Sequence, residues 1–361
     1  MSWPSWLPLR ETLRPMSPYG APQVPAVAAL NTNENPYSPS PALQKAITDA
    51  VAKVAVDLNR YPDRDATILR TKLATYINEG NGTSFTLDNI WAANGSNEII
   101  QSIFLAFAQG AVLGFTPSYS MHPLIAKTTG AQWIDGKRNA DFSLNTTDAV
   151  SEILKSKPTL TFITTPNNPT GGAVTLAEIQ KLADAAKDVG GLLVVDEAYA
   201  EFSQEVSAVT LIANNPHLIV IRTMSKAFAF AGARLGYLVS DVAVKDAMMI
   251  VRLPYHLSSL TQAAAQVAID HRAELLGGVS TLIKARGEVV QALHDMGLTT
   301  ITSSANFVLF TGFKQDAPQL WAALLEKGVL IRDVGLSGYL RVTIGNEAEN
   351  QLFISALKEL I

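Results

Sequence analysis

Cysteine is absent from the 361 residues, which excludes disulfide bonds, thiolate metal sites and a cysteine nucleophile. The five histidines give no indication of a metal site, because no two of them stand at the spacing of metal ligands. A Gly-x-Ser-x-Gly nucleophile motif is also missing. The chemistry of this chain must therefore be sought in other residue types.

The sequence also has no strong excess of either charge and no long apolar run. Lys and Arg number 28 and Asp and Glu 32, so the formal charge of −4 gives no reason to expect nucleic acid or an anionic membrane as a partner. The longest apolar run, residues 103–115, is interrupted by Gln109 and by glycines and is shorter than a membrane span. Residues 1–14 have no basic segment followed by an apolar run, so we expect no secretory signal and a cytoplasmic location.

Short apolar runs alternate with helical segments between about residues 90 and 240. Five of these runs are predicted strands, at residues 111–115, 159–163, 192–195, 218–221 and 236–239. Their side chains show no polar alternation, which is typical of strands buried on both faces. The pattern predicts an α/β layer with a mainly parallel sheet.

Capping signals mark one helix before these runs and one between the second and third of them. Ser40 and Pro41 form an N-cap and first helical position, and Thr175 to Glu178 form a capping box for a helix that should stop at Gly190. A long helical stretch is expected from Thr261 to Met296.

The length of the chain favours two domains. Strand-like segments at 306–310 and 340–344 predict a smaller α+β unit after the long helical stretch. We therefore expect an N-terminal arm at 1–35 that packs near the small unit, a large domain at 36–255 and a small domain at 256–361.

Polar and charged side chains follow the predicted strands. In open α/β sheets, ligands bind at the carboxyl ends of the strands, where Tyr119, Asn168, Asp196, Tyr199 and Lys226 fall. A buried lysine is costly unless it is paired or neutralised, and forming an imine with a carbonyl cofactor removes that cost. An aspartate at a strand end could hold the protonated pyridine nitrogen of such a cofactor. A structural Asp196–Lys226 ion pair is the alternative.

Three motifs that follow one another along the chain favour the cofactor interpretation over the ion pair. They are Asn167-Asn-Pro-Thr-Gly171, Asp196-Glu-Ala-Tyr199 and Ser225-Lys-Ala-Phe-x-x-Ala-Gly-x-Arg-x-Gly-Tyr237. With these motifs, the sequence from about residue 28 to the C-terminus resembles the fold-type I pyridoxal-phosphate aminotransferases. It is most similar to the histidinol-phosphate aminotransferases, through Leu30-Asn-Thr-Asn-Glu-Asn-Pro36, Arg60-Tyr-Pro-Asp63 and Leu330-Ile-Arg-Asp333. The resemblance implies a large domain with a mainly parallel seven-stranded sheet between helices, a small α+β domain and a homodimer.

The resemblance also implies the roles of the residues at the strand ends. Lys226 would form the Schiff base with pyridoxal phosphate and then move the proton between substrate and cofactor. Asp196 would pair with the pyridinium nitrogen, Asn168 and Tyr199 would hydrogen-bond the cofactor's phenolic oxygen, and Tyr119 would stack on the ring.

The cofactor phosphate needs cations and backbone donors. Gly95, Ser96 and Asn97 begin a predicted helix whose N-terminus offers free N–H groups, although a glycine turn into a helix is common in structural roles. The resemblance implies that Thr223, Ser225 and Arg234 complete the phosphate site. Tyr61 is implied to reach the phosphate bound by the neighbouring subunit.

For the substrate, the resemblance implies an anion site. Arg341 would bind the α-carboxylate of glutamate or the phosphate of histidinol phosphate, and Arg332 would add the second cation that a phosphate dianion favours. Tyr19, Asn33 and Tyr255 would line the same pocket. An Arg332 that is merely solvated or paired with Asp333 is the alternative.

The expected reaction converts histidinol phosphate and 2-oxoglutarate to imidazole-acetol phosphate and glutamate, in histidine biosynthesis. Two other activities on the same scaffold stay open: an aromatic amino acid aminotransferase and a pyridoxal-phosphate-dependent decarboxylase.

Overall fold

A computed structural model describes residues 3–361 of the chain. The α-helices are α1 Pro41–Ala55, α2 Thr67–Asn81, α3 Ser96–Phe107, α4 Met121–Thr129, α5 Thr146–Ser156, α6 Leu176–Asp188, α7 Val242–Val251, α8 Ser259–Asp270, α9 Arg272–Asp295, α10 Ala317–Glu326 and α11 Glu347–Leu360. The strands are β1 Ala28–Ala29, β2 Ile90–Ala93, β3 Ala111–Thr116, β4 Gln132–Lys137, β5 Leu160–Thr164, β6 Leu192–Asp196, β7 Leu218–Thr223, β8 Gly236–Val239, β9 Thr299–Thr300, β10 Phe307–Thr311, β11 Val329–Leu330, β12 Arg332–Asp333 and β13 Leu340–Thr343.

A seven-stranded sheet forms the large layer, in the order β2-β8-β7-β6-β5-β3-β4. Strands β3 to β7 pair in parallel, and β8 runs antiparallel to both of its neighbours. The predicted α/β class with a mainly parallel seven-stranded sheet is confirmed. The carboxyl ends of β5, β6 and β7 therefore meet at one edge, with Thr164, Asp196 and Thr223 as their last residues.

Successive residues of the central strands enter two different apolar cores. In β6, Leu193 and Val195 belong to the core that includes residues of α2, α6 and α8, whereas Val194 belongs to the core that includes residues of α3, α4 and α7. This alternation follows from the two-residue repeat of a strand. Because both faces are covered, the central strands carry mainly apolar side chains, as their sequences predicted.

A smaller four-stranded antiparallel sheet, in the order β12-β13-β10-β9, packs with α9, α10 and α11 around its own core. The N-terminal segment joins this unit, because β1 pairs in parallel with β11. Residues Ala28 and Ala29 of the expected N-terminal arm thus contact the small unit, while the arm as a separate segment stays a prediction. The division at residues 35 and 255 stays a prediction; helix α8, which follows it, packs against α1 of the large layer.

Local signals correctly located the starts of α1 and α6. Ser40 Oγ accepts the backbone N–H of Leu43, and the Thr175–Glu178 capping box is formed. The single helix expected from Thr261 to Met296 is instead two helices, since the backbone of His271 (φ −99°, ψ 20°) leaves helical geometry between α8 and α9. Among residues 3–361, no helix has both the length and the apolar character needed to span a membrane.

Candidate active site

A cavity of about 540 Å³ opens where the carboxyl ends of the parallel strands meet the small sheet. Most of the residues predicted for the site line it: Tyr19, Asn33, Ser96, Asn97, Tyr119, Asn168, Asp196, Tyr199, Thr223, Ser225, Lys226, Arg234, Arg332 and Arg341. The cavity therefore brings together the residues predicted at the strand ends of the large sheet and the two arginines, Arg332 and Arg341, that the resemblance implied.

Lys226 follows β7 and points its amine into this cavity. Its Nζ donates to the carbonyl oxygen of Thr32 at 2.8 Å, and no salt bridge to Lys226 is found among the described residues. Burial lowers the pKa of Lys226 to about 8, with Arg341 and Arg234 adding to the effect and Glu34 opposing it. A lysine with these properties is more often neutral, and so more nucleophilic, than a surface lysine.

Asp196 is buried at the end of β6 and is not paired with Lys226. Its Oδ2 lies 3.3 Å from Nε2 of the buried His122, and its Oδ1 accepts the backbone N–H of Ala198. Because an ionised carboxylate only accepts hydrogen bonds, His122 donates through Nε2. The alternative of a structural Asp196–Lys226 ion pair is therefore wrong.

His122 was not predicted from the sequence as a site residue. It lies in the first turn of α4, three residues after Tyr119, so that both side chains come from one side of that turn and their rings meet edge to face at 5.5 Å. The spacing from Tyr119 is the signal that could have identified it.

Tyr199 is the centre of a hydrogen-bond group that joins the two sheets. Its hydroxyl oxygen lies 2.8 Å from Asn33 Nδ2 and 3.4 Å from Asn168 Nδ2. Burial raises the pKa of Tyr199, and the Arg341 guanidinium opposes that rise. The phenol is therefore held protonated in the cavity that Lys226 also lines.

The start of α3 forms a cradle against Arg234. Gly95 has φ +81°, a backbone conformation that favours glycine, and a Cβ at this position would lie 2.6 Å from Arg234 Nη2, so the guanidinium would have to move away. Ser96 and Asn97 line the cavity, and Tyr119 donates from its hydroxyl to Asn97 Oδ1 at 3.1 Å. Nearby, the hydroxyl groups of Thr223 and Ser225 lie 3.0 Å apart.

Two arginines approach the cavity from the small sheet. Arg332 and Arg341 are directly paired residues of the antiparallel strands β12 and β13, so their side chains leave the same face. Arg341 donates from Nη1 to Asn168 Oδ1 at 2.5 Å and from Nη2 to the Asn31 carbonyl at 2.8 Å. Burial lowers the pKa of Arg341 to about 10, and Arg332 adds to the effect.

Of the two alternatives for Arg332, an ion pair with Asp333 is not observed, whereas a solvated side chain stays open because Arg332 is half-buried. Asp333 Oδ1 accepts the backbone N–H of Gly335, and no ion pair to Arg332 is found within residues 3–361. The Nε atom of the buried Arg341 also has no hydrogen-bond partner among residues 3–361. The two guanidinium groups therefore present unneutralised positive charge to the cavity.

Tyr61 and Tyr255 lie outside the cavity of their own chain. Their rings stack at a centroid distance of 4.3 Å, with Tyr61 78% and Tyr255 41% exposed. Within one chain the structure does not bring these two predicted residues to the site.

Comparison with known proteins decides the family. The family model described as aminotransferase class I and II matches residues 25–357. The chain belongs to this family. This aminotransferase is 52% identical to a histidinol-phosphate aminotransferase of Mycolicibacterium smegmatis, over 98% of this chain and 93% of the relative. The predicted pyridoxal-phosphate-dependent aminotransferase class is confirmed.

Two solved structures share the fold. The histidinol-phosphate aminotransferase of Clostridium acetobutylicum has a TM-score of 0.83 at 24% identity, over 92% of this chain and 99% of that one. The enzyme of Sinorhizobium meliloti in complex with pyridoxal-5'-phosphate has a TM-score of 0.81 at 24% identity, over 93% of this chain and 91% of that one.

The residues of the cavity fit pyridoxal phosphate by their chemistry. Lys226 offers an amine with a lowered pKa, and Asp196 offers a buried carboxylate for a ring nitrogen. The Gly95–Arg234 cradle offers a cation and a helix N-terminus for a phosphate. An aldehyde, a pyridine nitrogen and a phosphate are the groups that this set of donors and acceptors would hold.

Proposed function

We propose that this aminotransferase interconverts histidinol phosphate and 2-oxoglutarate with imidazole-acetol phosphate and glutamate, the transamination of histidine biosynthesis. The observation that carries the proposal is the pair Arg332 and Arg341, which share one face of the small sheet and have no acidic partner among the described residues. Relatives named for this reaction cover nearly the whole chain.

The two positive charges of Arg332 and Arg341 favour binding of a phosphate dianion over binding of a carboxylate monoanion. A buried guanidinium without a counter-charge is costly, and an arriving anion removes part of that cost. A phosphate dianion can satisfy two arginines at once, whereas the α-carboxylate of glutamate is a monoanion that Arg341 alone can bind. Tyr19, whose hydroxyl oxygen accepts from Ser120 Oγ at 3.0 Å, would be a further neutral donor at the rim.

The roles proposed for the cofactor residues follow from the contacts. Bound pyridoxal phosphate would supply the electron sink that stabilises negative charge at the substrate's Cα. Lys226 would hold the cofactor and carry the proton between substrate and cofactor. Asp196, fixed by His122, would hold the proton on the ring nitrogen. Tyr199 and Asn168 would contact the phenolic oxygen, and Tyr119 would cover the ring.

The phosphate of the cofactor would lie at the start of α3. Gly95, Ser96 and Asn97 would contribute backbone and side-chain donors there, together with Thr223 and Ser225, and Arg234 would contribute the cation.

We further propose a homodimer in the cytoplasm, with Tyr61 and Tyr255 acting on the partner's site. Both rings are exposed and stacked on each other outside the chain's own cavity, although aromatic rings of this size are usually buried. A second subunit would cover them. Tyr61 would then reach the partner's cofactor phosphate and Tyr255 the partner's substrate.

A substrate panel with 2-oxoglutarate as the acceptor tests the proposal. We expect glutamate formation from histidinol phosphate with kcat/KM at least tenfold above the values for phenylalanine and tyrosine. A higher value for the aromatic amino acids would replace the proposal by an aromatic aminotransferase. Release of CO2 from phosphothreonine without glutamate formation would replace it by a decarboxylase.

A further inference from the structure

Thr343 is buried beneath the site, and no step described so far uses it. It is the last residue of β13, two residues after Arg341, so both side chains leave the same face of the strand. Its Oγ1 accepts the backbone N–H of Asn33 at 3.0 Å and lies 3.0 Å from Asn33 Oδ1. Both residues are about 2% exposed, so water does not compete for these contacts.

The amide of Asn33 can be oriented in two ways, and Thr343 selects between them. The hydroxyl hydrogen of Thr343 needs an acceptor, and Asn33 Oδ1 is the one within reach. The oxygen of the amide then faces Thr343, and Nδ2 faces Tyr199 at 2.8 Å. With the amide reversed, Asn33 would present its oxygen to Tyr199 and accept the phenolic hydrogen.

The backbone of Asn33 explains why an asparagine can occupy this position. Its φ of +57° lies in the left-handed region, which asparagine tolerates better than most residues. Asn306 Nδ2 donates to the Asn33 carbonyl at 3.1 Å and fixes the peptide on the other side. The side chain is therefore held between Thr343 and Tyr199 with little freedom to move.

We propose that Thr343 is a positioning residue that, through Asn33, directs the hydroxyl hydrogen of Tyr199 into the cofactor cavity. Tyr199 accepts N–H groups from Asn33 and from Asn168, and a phenol has one hydrogen to donate. That hydrogen is left for the phenolic oxygen of the cofactor. The inference depends on the cofactor and not on the identity of the amino donor.

The test is the pH midpoint of the visible absorbance of the bound cofactor in the holoenzyme. Thr343→Val keeps the shape of the side chain and removes the hydroxyl, so the Asn33 amide can reverse and take the Tyr199 hydrogen. A hydrogen bond donated to the cofactor's phenolic oxygen stabilises the negative charge on that oxygen. Without this hydrogen bond, the oxygen's negative charge would hold the proton on the neighbouring nitrogen of Lys226 more tightly. We expect the midpoint to rise by about half a unit to one unit, the shift that corresponds to one ordinary hydrogen bond.

Two further variants separate positioning from a general structural effect. Thr343→Ser keeps the hydroxyl and should keep the wild-type midpoint. In a Tyr199→Phe background, Thr343→Val should add no further shift. The ionisable groups that face Tyr199 are unchanged in all these comparisons, as is Lys226 in the same cavity; these groups are Arg341, Asp196, Tyr19 and Tyr119.

An unchanged midpoint in Thr343→Val would overturn the inference, and so would an equal shift in the Tyr199→Phe background. If Thr343→Val does not fold, Thr343→Ala is measured in its place with the same expectations. The absorbance titration uses no amino donor, so its outcome is separate from that of the substrate panel.

Discussion

Replacing Arg332 by alanine tests the anion site on which the proposed substrate depends. Arg332 is half-buried, lines the cavity beside Arg341 and makes no ion pair within the described part of the chain. Its removal therefore breaks no salt bridge that could confuse the result. Arg341, which holds Asn168 and the Asn31 carbonyl, stays in place.

The magnitude follows from the hydrogen bonds that a phosphate would lose. A hydrogen bond to a charged group contributes roughly 1.5–3 kcal/mol, and a half-buried guanidinium that water still reaches should give less than that full range. We expect kcat/KM for histidinol phosphate to fall by a factor of about ten to a hundred, or about 1.4–2.8 kcal/mol of transition-state binding. The glutamate half-reaction should change less than about threefold, since one arginine suffices for a carboxylate.

The assay is steady-state glutamate production, with single-turnover kinetics for the glutamate half-reaction. Arg272→Ala is a matched control, because Arg272 lies on α9 and pairs with Glu79 outside the cavity. An Arg332→Ala enzyme that loses the same factor for both substrates would refute the reasoning, since Arg332 would then support the fold and not the phosphate.

Three other predictions concern the cofactor and the dimer. Borohydride reduction of the holoenzyme should attach the cofactor to Lys226, and peptide mapping that places it elsewhere would contradict the assignment. Since the pKa of Lys226 is lowered to about 8 from an ordinary 10.5, cofactor capture by the apoenzyme should accelerate as pH rises from 7 to about 8.5 and then level off; a rise centred near pH 10 would show an unperturbed amine. Tyr61→Phe should weaken cofactor retention, and mixing it with the inactive Lys226→Ala should restore activity in exchanged dimers; no restoration despite exchange would place Tyr61 outside the partner's site.

The central strands could be predicted from the sequence, whereas the edges of the sheet could not. Strands β6 and β7 are apolar on both faces, and that pattern alone located them. Strand β4 was missed because it is an edge strand with exposed residues such as Gln132 and Lys137. Strand β2 was missed because it has only four residues and lies just before the Gly95 turn and α3, where the local sequence indicates a helix start.

The same division holds for the site. Lys226 and Asp196 could be predicted because each follows a recognisable strand and lies within a motif. The hydrogen bonds that orient the site could not, because their partners are far apart in the chain: Thr343 and Asn33 are separated by 310 residues and His122 and Asp196 by 74. Nothing in a local pattern indicates which distant side chain will complete a hydrogen bond. That information exists only in the folded chain.

The most direct test of the account is the kcat/KM of the wild-type enzyme for histidinol phosphate divided by that for histidinol. Both amines carry the same imidazole ring and differ only in the phosphate that Arg332 and Arg341 are proposed to bind. Losing contacts to two arginines predicts a ratio of about a hundred or more, equivalent to about 2.8 kcal/mol or more. A ratio near one would contradict the account, because the paired arginines would then have no part in selecting the substrate.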